Sequence, residues 1–130
     1  KHIIVVGHYG CSGVQAAMTN QRVGIADNWL RHVQDVHHQH RDWMDQLPAD
    51  GVARLNALCE LNVLEQCRNV CHTTVVQDAW ARGQEVRVHG WVYGLHNGLI
   101  KDLRMSVTNP DDVAQAYQIA LTELQQRHQA

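Results

Sequence analysis

Ile3 to Val6 is an unbroken β-branched run that ends at Gly7, and the next strand-like segment is Val86 to Tyr93. Apolar residues without alternation fit a strand covered on both faces, as in a parallel sheet. The long helical stretch between the two segments supplies the crossover that parallel strands require and a tight turn cannot provide. The expected fold is α/β, a small, mostly parallel sheet flanked by helices. Such a strand also needs neighbours along its edges, yet the sequence starts almost at its first residue. One or more N-terminal strands of the domain are therefore expected to lie outside these 130 residues.

The rest of the chain is punctuated for helices. Gly13 to Met18 reads as a short helix leaving a glycine-rich turn. Asp27 or Asn28 is placed to cap a second helix, with Trp29, Val33 and Val36 on one face. Pro48 and Gly51 bracket a loop, and Asp50 is placed to cap a long helix with the stripe Leu55, Cys59, Val63, Cys67 and Val70 or Cys71. Thr74 to Gln77 resembles a capping box for a helix that packs Val76 and Trp80 and ends at Gly83. Val86, Val88 and Val92 alternate with Arg87, His89 and Tyr93; His96-Asn97-Gly98 reads as a turn, and Leu99 to Val107 as a return strand. Asn109-Pro110-Asp111-Asp112 opens the last helix, whose stripe is Val113, Ala116, Tyr117, Ala120, Leu121 and Leu124. With no repeat or flexible linker, a single domain over 1–130 is expected.

Composition narrows the partners. Hydrophobic residues at 45% and charged residues at 18% fit a globular chain. A net charge of −2 argues against nucleic acid or an anionic membrane. No apolar run approaches the ~18–20 residues of a membrane span. Cys11, Cys59, Cys67 and Cys71 do not form a small secreted disulfide framework, so a reducing, cytoplasmic setting is expected. His37, His38 and His40 read as a solvated helix end.

The chemistry concentrates in Gly7-His8-Tyr9-Gly10-Cys11-Ser12-Gly13, at the carboxyl end of the first strand, where open α/β sheets collect ligands. Three readings are open. The glycines suggest a phosphate loop, although their spacing is not the dinucleotide fingerprint and no P-loop lysine follows. His8 and Cys11 are an imidazole and a thiolate three residues apart, two members of a zinc ligand set. Alternatively, Cys11 is an ordinary buried thiol and His8 a satisfied turn residue. Cys67 and Cys71 stand one helical turn apart, with Cys59 on the same face and His72 beside it; they read as core positions, with surrogate ligation the lesser reading.

Several blocks in order carry a resemblance to the β-class carbonic anhydrases. They are His2-Ile-Ile-Val-Val-Gly-His-Tyr-Gly-Cys11, Asn28-Trp-Leu-Arg-His32, Cys59-Glu-Leu-Asn-Val-Leu-Glu-Gln66, Gln77-Asp-Ala-Trp-Ala-Arg-Gly83 and His89-Gly-Trp-Val-Tyr-Gly-Leu-His-Asn-Gly-Leu99. The resemblance implies that His8 and Cys11 bind Zn(2+) and that the activity is reversible hydration of carbon dioxide to bicarbonate. It implies a third ligand, a cysteine, in an upstream Cys-x-Asp-x-Arg segment whose Asp–Arg pair is catalytic. That pattern does not occur in these 130 residues, so no catalytic residue is assigned here and the isolated chain is expected to be inactive. The alternative is a non-catalytic subunit that keeps fold and oligomer contacts. The resemblance also implies a homo-oligomer, a dimer or tetramer, and the unpaired apolar strand edge favours self-association.

Overall fold

The computed structural model describes residues 1–129; Ala130, the end of the expected domain span, lies outside the described residues. Strand β1 (His2–His8) is followed by helices α1 (Ser12–Thr19), α2 (Asp27–Gln39), α3 (Arg41–Met44), α4 (Ala53–Cys71) and α5 (Thr74–Ala81). Strands β2 (Arg87–Tyr93) and β3 (Ile100–Val107) come next, and a 3-10 turn at Pro110–Asp112 leads into α6 (Val113–Gln129).

The sheet has the order β1-β2-β3. β1 pairs parallel with β2, from His2 opposite Arg87 to His8 opposite Tyr93, and β3 runs antiparallel to β2. The long crossover thus delivers the expected parallel pair. The expectation of a mostly parallel sheet is corrected to a mixed one, because the His96–Gly98 turn is too short to do anything but reverse the chain.

α4 lies against all three strands, and α6 packs on both α4 and β3. Leu58, Leu61, Leu64 and Leu124 meet Val88, Val92, Leu103, Met105 and Val107 in one core. The helices that pack on the sheet cover one face of it. β1 accordingly alternates: Ile3 and Val5 pack on the core, whereas Ile4 and Val6 are 43% and 52% exposed. The expectation that β1 is covered on both faces does not hold among the described residues. β-Branched side chains suit any pleated strand, so their run does not say how many faces are covered.

Local chemistry explains the ends of the helices. Thr73 caps α5 by accepting the Val76 N–H at 3.4 Å, one residue earlier than expected. Asn109 accepts the Asp111 N–H at 3.0 Å ahead of α6. α2 and α4 begin without a side-chain cap; the Asp27 carboxylate instead accepts the Val23 N–H at 2.8 Å. Trp29, in the first turn of α2, is 76% exposed and packs edge-on against His32 rather than joining Val36 in the core.

α4 is buried nearly all round, which encloses two carboxylates, Glu60 and Glu65, among its apolar residues. Glu65 joins four elements. It accepts Tyr117 Oη–H from α6, His40 Nε2–H from the α2–α3 corner at 3.3 Å, and Arg68 Nη2–H at 2.5 Å. The Arg68 guanidinium also lies 4.0 Å over the Tyr117 ring. His40 is therefore a buried structural residue, not part of a solvated helix end. Burial pushes the Glu65 carboxyl up, but the His40 and Tyr117 hydrogen bonds and the Arg68 charge outweigh it and hold it below the usual carboxylate range.

A depressed carboxyl contributes stability that is complete above its unfolded value of about 4.3 and is lost as pH falls through the folded value. Glu65→Gln is expected to lower the unfolding free energy at pH 7 by about 1–3 kcal/mol. It should also flatten the acid limb of stability against pH, measured by urea denaturation. An acid limb as steep as the parent's would show that Glu65 does not carry this dependence.

Candidate metal-binding turn

Parallel pairing fixes where the turn begins. His8 is the last residue of β1, and Tyr9 N–H donates to the Tyr93 carbonyl at 3.0 Å, extending the ladder one residue further. Gly10 adopts φ 69°, a left-handed conformation that glycine takes without the Cβ penalty, and this reverses the chain. Cys11 is the residue before α1, and its carbonyl accepts the Gln15 N–H at 3.0 Å. His8 is exposed and Cys11 half-buried, whereas Cys59, Cys67 and Cys71 are buried.

The imidazole of His8 is oriented. Its Nδ1 lies 3.0 Å from the Tyr9 carbonyl, which can only accept, so Nδ1 carries a proton and, in the neutral ring, Nε2 presents its lone pair. A neutral imidazole with one nitrogen engaged in this way is the form that ligates metal. The pair fits half of a tetrahedral zinc set, one nitrogen and one sulfur. Among the described residues, no group of three or more His, Cys, Asp or Glu is placed to hold a metal ion.

The other cysteines lie apart from this pair or are chemically unready. Cys59 faces the amides of Cys11 and Gly10 from beneath the turn, but burial pushes its thiol up to about 11. Cys67 is fully buried; its hydrogen bond with Cys71 and its burial both raise its thiol. His72 is exposed beyond the end of α4. The core reading of the α4 cysteines therefore agrees with their placement.

Tyr9 is held from a third direction. Its hydroxyl donates to Glu60, which is 1% exposed, and its ring packs against the core. Glu60 also accepts Arg127 Nη2–H at 3.0 Å and His128 Nε2–H at 3.1 Å, and Lys101 Nζ lies 3.8 Å away. Burial pushes the Glu60 carboxyl up, but the His128 and Tyr9 hydrogen bonds and the charges of His128 and Arg127 hold it below the usual range. A cavity of about 460 Å³ opens beside the turn, lined in part by Tyr9, Gly10, Glu60, Lys101 and His128. The motif Cys59-Glu60 gave no sign of this, because an acid next to a core stripe reads as solvated until its partners are known.

On the open sheet face, His2 Nδ1 lies 3.0 Å from His89 Nε2, and His89 Nδ1 lies 2.9 Å from Ser106 Oγ. His89, Trp91 and Tyr93 share the less buried face of β2. Arg31 and Asp35 form an exposed pair at 3.5 Å, a surface contact on α2.

The close seat of β1 on α4 sets the height of the turn. A Cβ on Gly7 would come within 2.7 Å of Val63 Cγ2. Gly7→Ala is expected to cost about 1–3 kcal/mol through overpacking and to lower the thermal midpoint. An unchanged midpoint would show that β1 and α4 separate freely.

A family model described as "Carbonic anhydrase" matches residues 1–100. A carbonic anhydrase of Emericella nidulans is 49% identical over 105 residues, covering 81% of this chain and 46% of its own length. A carbonic anhydrase of Pseudomonas aeruginosa is 32% identical over 110 residues, covering 78% of this chain and 46% of its own length. The chain thus spans about half the length of these curated relatives. The Coccomyxa β-carbonic anhydrase solved with acetazolamide superposes with TM-score 0.81 at 34% identity, covering 95% of this chain and 58% of that one. One of two tetrameric β-carbonic anhydrases of Sordaria macrospora gives TM-score 0.72 at 30% identity, covering 83% of this chain and 54% of that one.

Proposed function

Because this chain belongs to the β-class carbonic anhydrases, we propose that it forms part of a zinc enzyme that converts carbon dioxide reversibly to bicarbonate. His8 and Cys11 are the zinc ligands that this stretch contributes. The observation that carries the assignment is the 3.0 Å contact of His8 Nδ1 with the Tyr9 carbonyl, which leaves Nε2 as the unengaged nitrogen, three residues before a half-buried thiol. Bound zinc would supply a Lewis acid that brings the pKa of water from 15.7 to about 7.

The chain's own residues do the positioning. The β1–β2 ladder sets the base of the turn, Gly10 reverses it, and Cys11 enters α1 directly. The remaining protein ligand and the acid–base pair belong, by resemblance, to a Cys-x-Asp-x-Arg segment, a pattern these 130 residues do not contain. Hydration by this fold requires that segment to be supplied. A second reading, a non-catalytic subunit, is favoured by one observation: no third donor stands with His8 and Cys11 among the described residues.

Metal analysis of the purified protein under reducing conditions separates the two. In protein that includes the Cys-x-Asp-x-Arg segment, about one zinc per chain is expected, lost in His8→Ala and in Cys11→Ser but kept in Cys67→Ser and Cys71→Ser. Zinc near zero in the parent would favour the non-catalytic subunit. Carbon dioxide hydration, followed by stopped flow, should track zinc content.

We also propose a homo-oligomer. Ile4 and Val6 are exposed on the open sheet face, and among the described residues β1 has β2 as its one strand neighbour. The Trp91 indole N–H is buried without a partner among the described residues. Sedimentation is expected to show a species heavier than the 14.7 kDa chain; a dilute, stable monomer would overturn this.

A further inference from the structure

Tyr9 is fixed at three points that serve different neighbours. Its N–H holds the end of the parallel ladder, its carbonyl takes the His8 Nδ1 proton, and its hydroxyl donates to Glu60. The last bond reaches from the turn into the middle of the fold, because Glu60 sits on α4 with its side chain 2% exposed. An ionised carboxylate so placed needs several donors, and they come from distant parts of the chain. Arg127 and His128 reach it from the end of α6, and Lys101 from β3. Lys101 Nζ also lies 5.6 Å from the centre of the Tyr9 ring, so the same cation stands near both members of the pair.

We propose that Glu60 is the positioning residue of the metal-binding turn, acting through Tyr9, and that the C-terminal end of α6 locks it. Glu60 fixes the tyrosine ring, the ring fixes the Tyr9 backbone, and the Tyr9 carbonyl holds the proton of His8 on Nδ1. Nε2 stays free for a metal as a result. Metal-ligating histidines ordinarily hold the second nitrogen through a carboxylate or a backbone carbonyl, and loss of such outer partners costs about 10–100-fold in metal affinity. Here the two supports act in series: the carbonyl binds the imidazole, and the carboxylate holds the residue that carries the carbonyl. This proposal rests on the reading of His8 and Cys11 as zinc ligands.

α4 and α6 also provide an internal comparison. Tyr117 donates to Glu65 as Tyr9 donates to Glu60, with Arg68 as the cation in place of Arg127. Among the described residues the hydrogen bonds of Glu65 come from Tyr117, His40 and Arg68 and none comes from the turn, so loss of the Tyr117 hydroxyl removes the same kind of bond without touching His8.

The test compares Tyr9→Phe, Glu60→Gln and Tyr117→Phe in the purified protein. Tyr9→Phe keeps the ring and both backbone bonds, and remains informative if Glu60→Gln fails to fold. The tautomer of His8 is read in the metal-free protein by long-range proton–nitrogen correlation, and the alkylation rate of Cys11 reports the turn, since the other three cysteines are buried. Zinc affinity is measured by chelator competition. In Tyr9→Phe the single His8 tautomer should give way to a mixture, Cys11 alkylation should change, and zinc affinity should fall about tenfold. Tyr117→Phe should lower thermal stability and leave His8 and Cys11 as in the parent. An unchanged His8 tautomer and Cys11 rate in Tyr9→Phe overturns the proposal even if the parent binds zinc. If the parent binds no zinc but Tyr9→Phe releases the His8 tautomer, the ligand reading fails and the positioning stands.

Discussion

A carboxylate taken out of water must be met by donors, and α4 encloses two of them, Glu60 and Glu65. Each takes a tyrosine hydroxyl and at least one cation, and each draws partners from far along the chain. Leaving either acid unmatched in the core would cost several kcal/mol, so the positions of α6, of the α2–α3 corner and of the turn after β1 are tied to α4. The apolar contacts drive collapse but have no direction. The carboxylates add direction, because their hydrogen bonds tolerate little change in distance or angle.

That constraint has different consequences at the two ends of α6. Near its start, Tyr117 bonds Glu65 deep in the helical layer, and the result is structural. At its end, Arg127 and His128 hold Glu60, which holds Tyr9, which orients His8. The C-terminal helix thereby reaches the chemistry without supplying a group to it. β1 is seated by Gly7, whose missing side chain lets the strand approach Val63, and the parallel ladder then carries that placement to the turn.

Much of the architecture was legible in the residues. The stripe Val113, Tyr117, Ala120 and Leu124 is buried as the period requires, and Val88 and Val92 alternate into the core. Asn109 caps as its type predicts. These signals are local, and local geometry repeats with a fixed period. Where the expectations failed, the cause was not local. The exposure of Ile4 and Val6 depends on which helices cross the sheet, and the burial of His40 depends on Glu65 twenty-five residues away. The caps expected at Asp27 and Asp50 are absent, because a suitable side chain has more than one backbone N–H within reach.

For the site, the sequence by itself determined the donor types and their spacing: an imidazole and a thiol across a glycine turn at the end of a strand. It also determined the family, through blocks of residues whose order chance does not reproduce. Only the tertiary structure decided which nitrogen of His8 is free, which cysteines are sealed in the core, and which acid stands behind Tyr9. The reason is physical: a periodic pattern specifies which face of an element is apolar, but a hydrogen bond between Tyr9 and Glu60 exists only once fifty-one residues of chain have folded to bring them together.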